Sequence, residues 1–181
     1  MFLYIHGFRS VGSCHKGSIL KGFAPDTLLP NLPYVPRLAI NFLEELILEN
    51  KAKNLCLVGS SLGGFYAMYL AEKYQLKAIL INPAIDAVNA LYLAIGKMDN
   101  AKLCESFLWT LDLVEDLRNF QIKTLTKDLY FVLLQKGDKI LDYSITRDFF
   151  KDSKILIEEG GSHQFEAFET KKELLLDFMQ A

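Results

Sequence analysis

Asn54-Leu-Cys-Leu-Val-Gly-Ser-Ser-Leu-Gly-Gly-Phe-Tyr-Ala-Met-Tyr-Leu70 is the stretch from which the fold is read. Residues 54–58, rich in Leu and Val, predict a buried strand, and Ala67, Leu70 and Ala71 recur at helical spacing after it. Between the two stands Gly59-Ser60-Ser61-Leu62-Gly63, the G-x-S-x-G pattern of a nucleophile elbow. Such a turn lifts one serine hydroxyl off the end of a sheet on strained backbone. Glycine on either side removes Cβ atoms that would collide. The helix that follows aims its N-terminal N–H groups and positive dipole end at any oxyanion formed there. Only Ser61 has glycine two residues before and two after it, so Ser61 rather than Ser60 is the candidate nucleophile. A glycine-rich turn that binds phosphate, or nothing, is the plainer reading of the same residues.

The chain has 181 residues, 51% of them hydrophobic, enough for one well-buried domain over 1–181 and short for two. A net charge of −2 and the absence of any Lys/Arg run argue against nucleic acid as a partner. Cys14, Cys56 and Cys104 are odd in number and widely spaced, which suggests neither a disulfide framework nor a zinc site. Cys56 reads as a small core residue. The apolar start Met1-Phe-Leu-Tyr-Ile-His6 is too short for a signal peptide, and no apolar run reaches the length of a membrane span. A cytoplasmic protein is expected.

Outward from the elbow, the expected strands are Phe2–Ile5, a brief one at 24–29, 77–81, 128–134 and 154–157. Helices are expected near 19–23, over 37–50, at 144–150 and at the C-terminal end, where Thr170 and Glu173 suggest a capping box. Residues 84–120 carry mostly helical patterns and read as a small helical insertion over the strand ends. Six strands alternating with helices predict a doubly wound, mostly parallel α/β sheet. Ligands of such sheets sit at the carboxyl ends of the strands. The unusual polar residues collect there: His6-Gly7 after the first strand, Ser61 after the elbow strand, Asp138 and His163 after the last two.

The order Ser61…Asp138…His163 is that of acyl-transfer enzymes of the α/β-hydrolase class. More narrowly, the chain resembles the YqiA-type bacterial esterases. The resemblance rests on Leu3-Tyr-Ile-His-Gly-Phe8, Pro30-Asn-Leu-Pro33, Val58-Gly-Ser-Ser-Leu-Gly-Gly-Phe-Tyr-Ala67, Asn82-Pro-Ala84, Gly137-Asp138 with Leu141-Asp-Tyr143, and Glu159-Gly-Gly-Ser-His163 with Phe165. It implies a compact α/β-hydrolase fold without the first two strands or a large lid, and esterase or thioesterase activity on a small acyl ester or thioester. It also implies Phe8 as one oxyanion donor through its backbone N–H, beside that of Leu62.

The residue chemistry gives the same roles. Ser61 attacks a carbonyl, His163 takes its proton, and Asp138 orients the imidazole. No metal or organic cofactor is called for. Asp142 is a second choice for the acid and Asp86 a third. His6 is expected to shape the oxyanion loop, and His15 to be a solvated loop residue. Tyr92 and Trp109 are candidate pocket walls, or core. Arg9, Lys16 and Lys139 favour an anionic substrate on one reading and are solvated charges on the plainer one. Three functions therefore stand: a serine ester hydrolase, an acyl-CoA thioesterase with the same triad, and a catalytically silent binding module on a hydrolase fold.

Overall fold

The computed structural model describes residues 1–181, the side chain of Lys51 excepted. Five strands form one parallel sheet: β1 (Phe2–Ile5), β2 (Cys56–Ser60), β3 (Ala78–Ile81), β6 (Tyr130–Gln135) and β7 (Lys154–Glu158), hydrogen-bonded in that order. Seven helices accompany them: α1 (His15–Phe23), α2 (Pro36–Asn50), α3 (Leu62–Tyr74), α4 (Ala87–Tyr92), α5 (Leu111–Leu117), α6 (Tyr143–Phe149) and α7 (Lys172–Gln180). A separate antiparallel pair, β4 (Gly96–Asn100) and β5 (Glu105–Trp109), lies within the 84–120 segment.

Both sheet faces are apolar, as a parallel sheet covered by helices on each side requires. Period-two alternation sorts the strand residues. Leu3, Ile5, Leu57, Leu80, Val132 and Leu134 join one core with Ala39, Leu43 and Ile47 of α2 and the buried face of α3. Phe2, Tyr4, Val58, Ile79, Phe131 and Leu133 face the other way, against Leu20 of α1 and Leu175 and Phe178 of α7. Cys56 lies in this second core, where burial pushes its thiol up to about 12. Pro36 occupies the first position of α2, where its missing N–H costs nothing.

Three expectations need correction. The sheet has five strands, not six. The segment at 24–29 contributes only a parallel bridge, with Leu28 N–H donating to Phe2 O and Tyr4 N–H to Leu28 O. Pro25 lies within it and Pro30 follows it, and each lacks the donor that a longer ladder needs. That bridge still marks the reversal of winding: the chain passes outward from β1 to Leu28 and returns to β2 on the other side. The insertion at 84–120 is not purely helical, because the β4–β5 hairpin sits at its centre. Thr170 and Glu173 form no capping box. Thr170 lies in a 3₁₀ turn that precedes α7, and its hydroxyl donates to Ala167 O.

Strand β2, its glycines and α3 meet at close quarters. A Cβ on Gly63 would lie 1.9 Å from Ile5 O, and one on Gly59 2.4 Å from Gly63 O. Both obstacles are backbone and cannot rotate away. Gly63→Ala should therefore destabilise the protein by about 1–3 kcal/mol or more. At about 2–4 °C per kcal/mol for a chain this long, a thermal melt should show a clear drop in Tm. An unchanged Tm would mean that α3 sits farther from β1 than described.

Candidate active site

The elbow holds Ser61 at φ 55° and ψ −120°, a left-handed conformation that costs a non-glycine residue about 1–3 kcal/mol. Backbone bonds pin it there. Ser61 N–H donates to Ile81 O (3.1 Å), and Ser61 O accepts from Gly64 (2.9 Å) and Ala84 (3.0 Å). The side chain leaves the sheet at the carboxyl end of β2, beside the loop that follows β1. Gly7 in that loop is so close that a Cβ on it would lie 3.2 Å from Ser61 Cβ.

The structure brings together the three residues singled out as a triad. Ser61 Oγ lies 3.1 Å from His163 Nε2, and His163 Nδ1 lies 2.7 Å from Asp138 Oδ2. With the carboxylate ionised, Nδ1 donates to Asp138, which leaves Nε2 free to accept from the serine hydroxyl. The Asp138 side chain is 1% exposed and that of His163 16%. Burial pushes the Asp138 carboxyl up. The His163 bond, together with the Leu141 and Ile140 N–H groups on Asp138 Oδ1 (3.0 and 2.8 Å), outweighs that and holds it below the usual aspartate range.

The other two aspartates are engaged elsewhere. Asp142 caps α6, accepting from Ser144 N–H (2.8 Å) and the Ser144 hydroxyl (2.7 Å). Asp86 caps α4 through Asn89 N–H. His6 is buried and keeps to the oxyanion loop. Its Nε2 accepts from Leu32 N–H (3.1 Å), so its proton is on Nδ1, which donates to Gly7 O (2.9 Å). Burial lowers the His6 pKa, in keeping with a neutral ring.

Leu62 N–H opens α3, and Phe8 N–H follows Gly7 in the facing loop. Among the described residues neither has an acceptor in the protein. The 84–120 insertion braces this loop. Arg9, at φ 56°, donates through Nε to Asp99 O (2.7 Å), and Asn100 Nδ2 donates to Ser10 O (3.1 Å). The Phe8 ring packs edge-on against Trp109 and Phe107, with centroids 4.9 and 5.7 Å away. Trp109 is thus buried behind Phe8, and Tyr92 is more than half exposed at the end of α4. Neither lines the cavity at Ser61: of the two readings, wall or core, Trp109 takes the core one and Tyr92 takes neither.

That cavity, of about 330 Å³, is lined by Ser61 and His163 together with Gly7, Ser10, His15 and Lys16. His15 is exposed as expected, but it begins α1 and faces the cavity. Among the described residues, no group of three or more His, Cys, Asp or Glu side chains converges in the manner of a metal site. Among the same described residues, no helix is long and apolar enough to cross a membrane.

Two residues essential to this arrangement were not foreseen. Gln135, the buried last residue of β6, clamps the 162–166 loop that carries His163. Its Oε1 accepts from Ser162 N–H (3.1 Å) and Glu166 N–H (2.8 Å), and its Nε2 donates to Glu158 and to Glu166 O (2.9 Å each). Asn82 Nδ2 donates to Ser162 O and His163 O, while its Oδ1 accepts from Gln135 N–H. The available signal was a pair of amides, one ending an apolar run and the other preceding Pro83. Gln135→Leu would leave the part-buried N–H groups of Ser162 and Glu166 without their acceptor, at up to about 1 kcal/mol each. We expect a lower Tm and faster hydrogen exchange at Ser162 and Glu166. Exchange unchanged at both amides would show that Gln135 does not hold the loop.

The model of a family described as "Uncharacterised protein family (UPF0227)" matches residues 1–180. Solved structures add the fold. Est1E from Butyrivibrio proteoclasticus with ferulic acid bound superposes with a TM-score of 0.76 at 14% identity, covering 99% of this chain and 89% of that one. The monoacylglycerol lipase of Paleococcus ferrophilus gives 0.70 at 14% identity over 98% and 93%. An alpha/beta superfamily hydrolase from Oenococcus oeni PSU-1 gives 0.66 at 14% identity over 99% and 92%. The fold is that of the α/β hydrolases.

Proposed function

The chain belongs to the UPF0227 family, the YqiA-like proteins, and from that premise we propose that it is a serine hydrolase of small carboxylic esters. The observation that carries this reading is the two-bond relay from Asp138 through His163 to Ser61. Ser61 Oγ attacks the ester carbonyl while its proton passes to His163 Nε2. The resulting oxyanion takes hydrogen bonds from the N–H groups of Phe8 and Leu62, each donor worth about 3–4 kcal/mol in the transition state. The tetrahedral adduct collapses, the C–O bond to the alcohol breaks, and the alcohol leaves with the proton held by His163. Water then repeats the sequence on the acyl-enzyme, with His163 again taking and returning one proton. Asp138 fixes the imidazole tautomer throughout and stabilises its cation. The esterase and lipase among the structural neighbours support the reaction class by analogy of fold.

Purified protein assayed against p-nitrophenyl esters and acyl-CoA thioesters of graded chain length tests the reading. Turnover is expected on short activated esters. No turnover on any ester or thioester would favour a silent binding module.

A further inference from the structure

We propose that the cavity beside Ser61 is built for an ester that carries an anionic group, a carboxylate or a phosphate, near its scissile carbonyl, with Lys16 and Lys102 as the counter-charges. This rests on the hydrolase reading and names the substrate class of the same site. Lys16, on the first turn of α1, is only 6% exposed. Its Nζ has one acceptor, the carbonyl of Gln164 at 2.9 Å, and that residue follows His163. Among the described residues neither Lys16 nor Lys102 pairs with a carboxylate. The ionisable acid beside Lys16 is the Cys14 thiol. Burial pushes its pKa up, but the Tyr4 hydroxyl at 3.3 Å, the Gly17 N–H and Lys16 itself outweigh that, so the thiol is the one acid that shares the charge of Lys16 before a ligand arrives.

A buried ammonium with three donors and one neutral acceptor is an expensive arrangement unless a partner arrives. Lys102 makes it more so. It reaches the same cavity from the β4–β5 turn, and its charge works against that of Lys16. His15 also lines the cavity, whereas no Asp or Glu does. Acidic residues outnumber basic ones 22 to 20 over the whole chain, so this cationic lining is local. An anion between the two lysines would relieve their repulsion and give Lys16 its missing acceptors. Because Lys16 is tied to the residue after His163, such an anion would sit within a few bonds of the reacting carbon. A volume of about 330 Å³ is at the small end for ligand cavities, which suits a short substrate.

Matched pairs of esters test this. Mono-p-nitrophenyl succinate against p-nitrophenyl butyrate places a carboxylate on the acyl side; 1-butyrylglycerol 3-phosphate against 1-butyrylglycerol places a phosphate on the alcohol side. In at least one pair the wild type should favour the anionic member by about tenfold or more in kcat/KM, mainly through KM. The pair that shows it names the anion. Lys16→Met or Lys102→Met should reduce that ratio about tenfold, and Lys102, which bonds nothing near His163, guards against a disturbed base. Preference for the neutral member in both pairs, or a ratio unchanged in both variants, overturns the subsite. Should the wild type hydrolyse none of the four, the hydrolase reading fails, and the subsite is then judged by melting. Succinate or phosphate should raise the Tm of the wild type more than that of Lys16→Met at equal ionic strength; equal shifts overturn it.

Discussion

Ser61→Ala is expected to lower kcat on an activated ester by a factor on the order of 10⁶, the scale set when a serine enzyme loses its nucleophile. Two features make the loss this large. Nothing else at the site can replace Ser61, since it alone stands 3.1 Å from His163 Nε2. The neighbouring Ser60 is buried at the end of β2 and lines the same cavity, but only Ser61 bonds His163. The fold should persist, because Ser61 is fixed by backbone bonds that alanine retains, and alanine meets the same strained φ. Initial rates on p-nitrophenyl butyrate, with a thermal melt as control for folding, measure it. Activity within tenfold of wild type would remove Ser61 from the mechanism.

The second large effect separates the two aspartates that follow β6. Asp138→Asn keeps Oδ1 for the Ile140 and Leu141 N–H groups, so the turn should hold. On the other branch an amide NH₂ would face His163 Nδ1. It would force that nitrogen to accept and would put the proton on Nε2, which could no longer take one from Ser61. The expected cost is about 10⁴ in kcat. Asp142→Asn preserves an N-cap acceptor for Ser144 and should leave kcat within a few-fold of wild type. Side-by-side kcat values decide, and the reverse ranking would require a triad redrawn on Asp142. Acid stability gives a second handle. The folded-state pKa of Asp138 is below its unfolded value, so its contribution to stability is present above the usual aspartate range and is lost as pH falls through the folded value. Asp138→Asn should therefore flatten part of the acid limb of a Tm-versus-pH curve.

The elbow was legible because its requirement is local. Gly59 abuts the Gly63 backbone and Gly63 abuts the end of β1, each at a distance no side chain tolerates, and that leaves a spacing in the sequence. The sheet was legible through apolar runs separated by helical segments, although the 24–29 segment offers too few pairing donors to make a strand. The hairpin at 96–109 was hidden because its residues are mostly exposed or only half-buried, so Lys97, Asp99, Glu105 and Ser106 leave no apolar alternation to read.

Choosing between Asp138 and Asp142 required the turn itself. Asp138 closes that turn on its own side chain and so leaves one oxygen for His163. Gln135 and Asn82 were invisible as clamps because their partners lie 23 to 81 residues away. Lys16 shows the same limit. In a short polar segment a lysine reads as solvated, and it is the approach of Gln164, 148 residues on, that encloses it.

The most direct measurement is the site of covalent capture. A fluorophosphonate reacts with a serine only where a base removes the proton and donors receive the phosphoryl oxygen, so it reports the assembled site independently of any substrate. Wild-type protein treated with the reagent should gain one adduct by intact mass. Peptide mapping should place it on Ser61, and Ser61→Ala should take up none. An adduct on another serine, or stoichiometric labelling that survives in Ser61→Ala, would contradict the account.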